Sequence, residues 1–194
     1  MMKLGLWLAE KGLIPDFLLR VAIRKLSLTR LKDKSLLSEK SKIAASFKEG
    51  PIAEQTLEAN EQHYEVPPSF FTKVLGKNLK YSCCFYETQK ETLIEAEEKM
   101  LELYLSRAEI CDGQNILDLG CGWGSFSLYA AKRFPNSVFT SISNSQDQIN
   151  FINEEAKSRG LRNIKAFKVD INDLDLEDKF DRIVSIEMFE HMRN

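Results

Sequence analysis

A glycine-rich turn that directly follows a short apolar segment constrains the fold of this 194-residue chain more than any other feature. Residues 115–119 have the composition of a buried strand, and glycines follow at three alternate positions, Gly120, Gly122 and Gly124. Glycine adopts positive φ angles readily and leaves the main chain open to contact with a ligand. A helix that begins near Ser125 would direct its free N–H groups toward anything bound over the turn. The sequence therefore predicts a strand, a ligand-binding turn and a helix.

The spacing of the glycines separates two classes of nucleotide-binding turn. A dinucleotide-binding turn has the pattern G-x-G-x-x-G, and the third glycine here, Gly124, comes one position too early for it. The pattern D-x-G-x-G-x-G, which starts at Asp118, instead resembles the S-adenosylmethionine (SAM) loop of class I methyltransferases. A tight strand-to-helix connection without any ligand has the same composition, so the motif alone leaves both interpretations open.

Composition and charge exclude several classes of protein. The formal net charge is −2, which gives no general attraction to nucleic acid. The four cysteines include no C-x-x-C pattern, so we expect neither a zinc site nor a disulfide framework, and no other metal site is predicted. Free cysteines fit a reducing compartment. No apolar run reaches about 18 residues and no signal-peptide pattern opens the chain, so the sequence predicts a cytoplasmic protein.

The first 110 residues are predicted to form a helical N-terminal cap region. A basic amphipathic helix should run from Pro15 to about Leu31, because apolar residues recur there at helical spacing beside many Lys and Arg. This helix could lie on an anionic membrane surface, but packing on its own domain is favoured. A polar connector over residues 32–62, a short helix to about residue 75 and a strong helix opened by Thr88 or Thr92 complete the region.

Residues 111–194 are predicted to form an α/β domain. Apolar strand segments and amphipathic helices alternate there, a pattern typical of a parallel sheet. The predicted strands are 115–119, 138–142, 164–169 and 181–186, and the predicted helices are 125–133 and 145–159.

Polar residues follow the second and third predicted strands. Ser141, Ser143 and Gln146 offer hydroxyl and amide groups to a ribose, although Ser143 or Ser145 could equally be the N-cap of the next helix. Asp170 follows the third strand, where its carboxylate could bind an adenine amino group or lie at the surface without a ligand.

Four segments taken together resemble the cyclopropane-fatty-acid synthase superfamily of methyltransferases, and within it the coclaurine N-methyltransferase branch. These segments are 81–86, 120–124, 141–146 and 180–191. The resemblance runs from about residue 12 to the end of the chain. It implies a Rossmann-like class I SAM methyltransferase core preceded by a helical N-terminal region.

The resemblance also implies SAM as the cofactor and assigns residues to it. Tyr81 and Ser82 would border the SAM pocket, and the loop Gly120–Gly124 after Asp118 would hold the methionine part. The remaining contacts would be to the ribose region (Ser141, Ser143, Gln146) and to the adenine (Asp170, Ile171). Ser141 stands where relatives usually carry Thr, but it keeps the hydroxyl.

The segment after the fourth strand implies a reaction. Glu187, Glu190 and His191 are three and four positions apart, so a helix beginning there would place them on one face. Two carboxylates suit a cationic amine, and His191 or a glutamate can take its proton. The resemblance therefore implies methyl transfer to a small-molecule amine nitrogen. Three alternatives stay open: methylene transfer to an unsaturated lipid chain, acidic residues that merely favour a helix N-terminus, and a SAM-binding protein without turnover.

The resemblance finally implies an incomplete sheet. Class I methyltransferases have seven strands, and this sequence ends just after the fourth. The expected product is a sheet with strands 1–4 only, in the order 3-2-1-4, with the strand at 181–186 as an unpaired apolar edge. We therefore expect a fragment of, or a truncated relative of, a longer enzyme, which by itself aggregates or binds SAM weakly.

Overall fold

The computed structural model describes residues 2–32, 42, 44, 45, 47, 49–54 and 67–192. The chain divides into two compact units, Met1–Glu49 and Gly50–Asn194. The boundary that the sequence predicts at residue 110, between a helical region and the α/β domain, stays a prediction. Most of the connector predicted over residues 32–62 lies outside the described residues.

The first unit contains helices α1 (Met2–Glu10) and α2 (Asp16–Lys32). Helix α2 follows the prediction to within a residue at each end, whereas α1 was not predicted. In helix α2, Asp16 in the first turn and Lys32 in the last turn complement the helix dipole. No side chain of α2 is buried within this unit, and the packing of the helix on its own domain stays a prediction. No helix among the described residues is both long and apolar enough to cross a membrane.

The second unit is an α/β domain, and two of its described helices precede the sheet. Helix α3 spans Pro68–Val74 and helix α4 spans Leu93–Arg107. Of the two predicted starts of α4, Thr88 and Thr92, the structure has Thr92, which forms a capping box. The backbone N–H of Glu95 donates to Thr92 Oγ1, and the backbone N–H of Thr92 donates to Glu95 Oε2 at 2.8 Å.

Strands and helices then alternate as predicted. The elements are β1 (Asn115–Leu119), α5 (Ser125–Arg133), β2 (Val138–Ser143), α6 (Gln146–Ser158), β3 (Ile164–Lys168), a 3-10 turn (Ile171–Asp173), β4 (Arg182–Val184) and a second 3-10 turn (Phe189–His191). Ser145 is the N-cap of α6, since its hydroxyl accepts a hydrogen bond from the backbone N–H of Gln148.

The four strands form one parallel sheet in the predicted order, β3-β2-β1-β4. Leu117 in β1 lies opposite Thr140 in β2 and Ile183 in β4. Strand β4 has three residues instead of the predicted six, because the chain leaves the sheet after Val184. Within the described part of the chain β4 pairs with β1 alone, and Ile183 is 62% exposed, as expected for a strand at the sheet edge.

Helices α4, α5 and α6 lie beside one another, and α5 and α6 pack against strands β2 and β3. A cluster of buried side chains joins α4 and α5 to the strands: Leu101, Leu105, Ile116, Phe126, Ala130, Phe139 and Val184. A smaller cluster joins α6 to the turn after β1 through Cys121, Ile149 and Ile152. This packing fixes the glycine turn at the carboxyl edge of the sheet, where open α/β sheets bind ligands.

Candidate active site

A cavity of about 390 Å³ lies at the carboxyl edge of the sheet, within the second unit. Its walls come from segment 79–82, from the turn after β1, and from the residues that follow β2, β3 and β4. Residues 53 and 54 close one side. The predicted site residues that line this cavity are Tyr81, Ser82, Asp118, Gly120, Gly122, Ser143, Asp170, Ile171, Glu187 and His191. Gly124, Ser141, Gln146 and Glu190 are not among the lining residues.

The three glycines of the turn have different surroundings although each has a positive φ. A Cβ added at Gly122 would meet nothing within 4 Å, so its bare main chain borders open space in the cavity. A Cβ at Gly120 would come within 2.7 Å of the Met188 side chain. A Cβ at Gly124 would lie 2.7 Å from Cγ1 of Ile152 in α6. Gly124 thus allows a helix to pack closely and does not face the cavity.

A buried chain of hydrogen bonds supports the floor of the cavity. Ser141 Oγ donates to Ser127 Oγ at 2.7 Å, and Ser127 Oγ donates to Asp118 Oδ2 at 2.5 Å. Asp118 is 1% exposed, and burial raises the pKa of its carboxyl to about 6 despite the hydrogen bond from Ser127. Ser141 is fully buried, so its hydroxyl supports Asp118 through Ser127 and does not reach the cavity.

Gln148 lines the cavity and was missed by the sequence analysis, which chose Gln146. Gln146 is exposed, and its Nε2 donates to Asn150 Oδ1 at 2.9 Å. Gln148 is 2% exposed; its Oε1 accepts from Ser143 Oγ at 2.6 Å, while its buried Nε2 has no hydrogen-bond partner. The sequence does contain an indication of this role, because Gln148 is a polar residue beside Ile149 and Ile152, which form the apolar face of α6.

The residues after β3 join the cavity to a distant segment. Asp170 Oδ1 accepts from the backbone N–H of Asn172 at 2.9 Å and caps the 3-10 turn. The Asn172 side chain forms two hydrogen bonds with the backbone of buried Ala53, accepting from its N–H and donating to its carbonyl, both at 3.0 Å. No local sequence pattern indicates this contact, because 119 residues separate the partners.

Segment 80–83 brings a buried lysine to the cavity beside the predicted Tyr81 and Ser82. Lys80 is 4% exposed, and its Nζ donates to Ser82 Oγ and, at 3.1 Å, to Tyr104 Oη. Burial lowers the pKa of Lys80, against the effect of nearby Cys83 and other acidic groups. Burial also raises the pKa of the Tyr104 hydroxyl, with a further contribution from Cys83.

The segment after β4 does not form the predicted helix. Glu187 has a φ of 52°, and only Phe189–His191 form a single 3-10 turn. The prediction that Glu187, Glu190 and His191 share one helical face is therefore wrong, because Glu187 has a left-handed backbone and lies outside this turn. Glu187 and His191 line the cavity, whereas Glu190 is exposed outside it.

Glu187 connects the residues after β4 to segment 80–83. Its Oε1 accepts a hydrogen bond from the backbone N–H of Cys83 at 2.8 Å. Burial alone would raise the pKa of Glu187, but this hydrogen bond and the charge of Lys80 outweigh it and hold the pKa below its ordinary value. A carboxylate that stays ionised at the cavity wall can bind a cation. Among the described residues, no cluster of His, Cys, Asp or Glu could hold a metal ion.

Comparisons with known proteins agree with this architecture. The model of the mycolic acid cyclopropane synthetase family matches residues 53–194. This chain belongs to that family. Over 95% of its length it is 40% identical to (S)-coclaurine N-methyltransferase of Thalictrum flavum subsp. glaucum, of which it covers 53%.

Two solved structures of the family extend the comparison. The crystal structure of a coclaurine N-methyltransferase bound to N-methylheliamine and SAH has a TM-score of 0.89 and 36% identity, with 98% of this chain and 57% of that chain covered. A mycolic acid cyclopropane synthase complexed with SAH and CTAB has a TM-score of 0.61 and 32% identity, with coverages of 69% and 46%. The chain spans about half the length of these relatives. Its helices and parallel sheet confirm the predicted class I methyltransferase fold.

Proposed function

We propose that this chain binds SAM in the cavity and takes part in methyl transfer to an amine nitrogen of a small molecule. The observation that carries the proposal is one cavity that combines bare main chain at Gly122 with an ionised carboxylate at Glu187. The family's N-methyltransferases supply the reaction class.

The lining residues fit SAM. The buried Nε2 of Gln148 lacks a hydrogen-bond partner and can donate to a ribose oxygen. Ser143 Oγ donates to Gln148 Oε1 and so orients this amide toward the cavity. The hydroxyl of Ser125 is also without a partner at the cavity wall. We assign the methionine part to the main chain of the glycine turn and the adenine to Asp170 and Ile171. SAM supplies an electrophilic methyl group on a sulfonium, which is a strong leaving group.

Glu187 and His191 have the chemistry that an amine acceptor requires. The Glu187 carboxylate can hold the protonated amine at the cavity wall, and His191 can take the amine proton, which exposes the lone pair for in-line attack. The rest of the wall aligns the nucleophile and excludes water. Glu190 stays a prediction from the resemblance, since its side chain lies outside the cavity.

The proposed setting follows the sequence analysis. We assign the chain to the cytoplasm, which fits its four free cysteines, Cys83, Cys84, Cys111 and Cys121. The expected partner is a small-molecule amine; nucleic acid is not an expected partner, because the net charge is slightly negative.

A methylation assay with the variant Glu187→Gln tests this proposal. On the intact protein, transfer of labelled methyl from SAM to coclaurine or heliamine should fall on the order of a hundredfold, because the amide no longer holds the ammonium. The dissociation constant for SAH, measured by calorimetry, should stay within about twofold. Glu177→Gln is the matched control, since Glu177 is exposed and outside the cavity.

Three outcomes would contradict the proposal. Absence of SAH binding to the unmodified protein removes the cofactor assignment. A loss of SAH affinity in Glu187→Gln as large as the loss of turnover reassigns Glu187 to cofactor binding. Formation of cyclopropyl lipid from unsaturated phospholipid vesicles, with no amine methylated, replaces the amine acceptor with a lipid.

A further inference from the structure

Among the described residues that line the cavity, Lys80 is the one Lys or Arg. It is also 4% exposed, which is unusual for a lysine, because removing an ammonium group from water is costly unless an anion compensates. The partners of its Nζ are the hydroxyl groups of Ser82 and Tyr104, which are neutral acceptors. An ammonium group has three N–H donors, so one remains for a ligand.

The other charges of the cavity wall have the opposite sign. Four carboxylates line the cavity: Glu54, Asp118, Asp170 and Glu187. A ligand that carries both an anionic and a cationic group must therefore direct its anion to the Lys80 wall and its cations toward the carboxylates. SAM is such a ligand, because its amino-acid end combines a carboxylate with an ammonium group, next to the sulfonium.

We propose that the Lys80 ammonium binds the α-carboxylate of SAM and thereby fixes the direction in which the methionine part lies in the cavity. This inference rests on the proposed function. Lys80, whose Nζ donates to Ser82 Oγ, and the glycine turn line the same cavity, so a methionine part held over that turn can direct its carboxylate to the lysine. The carboxylate of the bound cofactor then helps to offset the cost of burying the ammonium.

The experiment compares two ligands that differ by the amino-acid group. SAH carries the carboxylate, whereas 5′-methylthioadenosine keeps the adenosine and the thioether and lacks the amino-acid end. In Lys80→Met the dissociation constant for SAH should rise at least about thirtyfold, while that for methylthioadenosine stays within about twofold. The control is Lys77→Met, three residues earlier in the chain, where the side chain is exposed and outside the cavity. This variant should change neither dissociation constant.

A structural role for Lys80 predicts a different pattern. If Lys80 only holds Ser82 and Tyr104 in place, Lys80→Met weakens both ligands equally, which overturns the proposal, as does unchanged SAH affinity. Lys80→Arg, which keeps the charge, should recover most of the SAH affinity.

A measurement on the unmodified protein keeps the test decisive if Lys80→Met does not fold. Decarboxylated SAH should bind at least about tenfold more weakly than SAH, and equal affinity overturns the proposal. Failure of the unmodified protein to bind either SAH or methylthioadenosine would instead refute the proposed function itself.

Discussion

At the residue scale, the buried Asp118 shows how one position can carry two roles. The motif that begins at Asp118 predicts a cofactor-binding residue, and the carboxylate does line the cavity. Its hydrogen bond, however, comes from Ser127, which Ser141 supports in turn. Such a chain keeps a buried carboxylate satisfied and also holds β1, β2 and α5 in register.

The raised pKa of Asp118 predicts a pH-dependent contribution to stability. In the folded protein this pKa is about 6, above its value in the unfolded chain, so between about pH 4 and 6 the folded state retains a proton that the unfolded state has lost. The contribution of Asp118 is therefore present at low pH and is lost as the pH rises through 6, by roughly 3 kcal/mol at most.

Urea unfolding of the original protein and of Asp118→Asn at pH 4.5 and 7.5 checks this prediction. The asparagine does not ionise, so the variant should gain free energy of unfolding relative to the original protein as the pH rises. The difference between the two proteins isolates Asp118 from the other titrating groups. An identical difference at both pH values would show that burial does not shift this carboxyl.

At the element scale, the local pattern predicted most boundaries. Helices α2, α5 and α6 begin and end within about two residues of prediction, and α4 begins after Thr92, one of its two predicted starts, because apolar spacing and capping residues are local signals. The segment after β4 was mispredicted. Its i, i+3, i+4 pattern is typical of a helix, but Glu187 takes a positive φ and hydrogen-bonds Cys83, a contact that local spacing does not indicate.

The glycine turn supports a prediction that separates packing from binding. Gly124→Ala should lower the free energy of unfolding by roughly 3 kcal/mol, because the methyl group meets Ile152 and the backbone is left-handed. Gly122→Ala has the same backbone strain but open space around its Cβ, so it should cost only about 1 kcal/mol.

Urea unfolding and SAH calorimetry on the two glycine variants measure both effects. Gly122→Ala should lose SAH affinity strongly, since its methyl group occupies the cavity. Gly124→Ala should retain most of that affinity in the fraction that is folded. Equal stability losses would contradict the different surroundings of the two glycines.

At the scale of the whole molecule, contacts between distant segments complete the cavity. Lys80 meets Tyr104, Cys83 meets Glu187, and Ala53 meets Asn172 across separations of 24, 104 and 119 residues. None of these pairs has a local sequence signal. The two hydrogen bonds between the Asn172 side chain and the Ala53 backbone hold residues 53 and 54 at the cavity wall.

Asn172→Ala tests this attachment. Losing two partly buried hydrogen bonds should lower local stability by about 1–2 kcal/mol, and amide exchange should accelerate over residues 50–54 while the sheet keeps its protection. The control is Asn153→Ala, on the exposed side of α6. Unchanged exchange at residues 50–54 would mean that other contacts hold this segment.

The sequence by itself determined the glycine turn and most of the helices, because periodic burial and capping act over short stretches of chain. The order of the sheet was implied by the resemblance of the sequence to its family, and the structure has that order. The tertiary structure decided which side chains face the cavity. Ser141, Gly124 and Glu190 do not line the cavity, whereas Lys80, Gln148 and Ala53 do. Side-chain direction at a site depends on packing between segments far apart in sequence, and no local pattern records that packing.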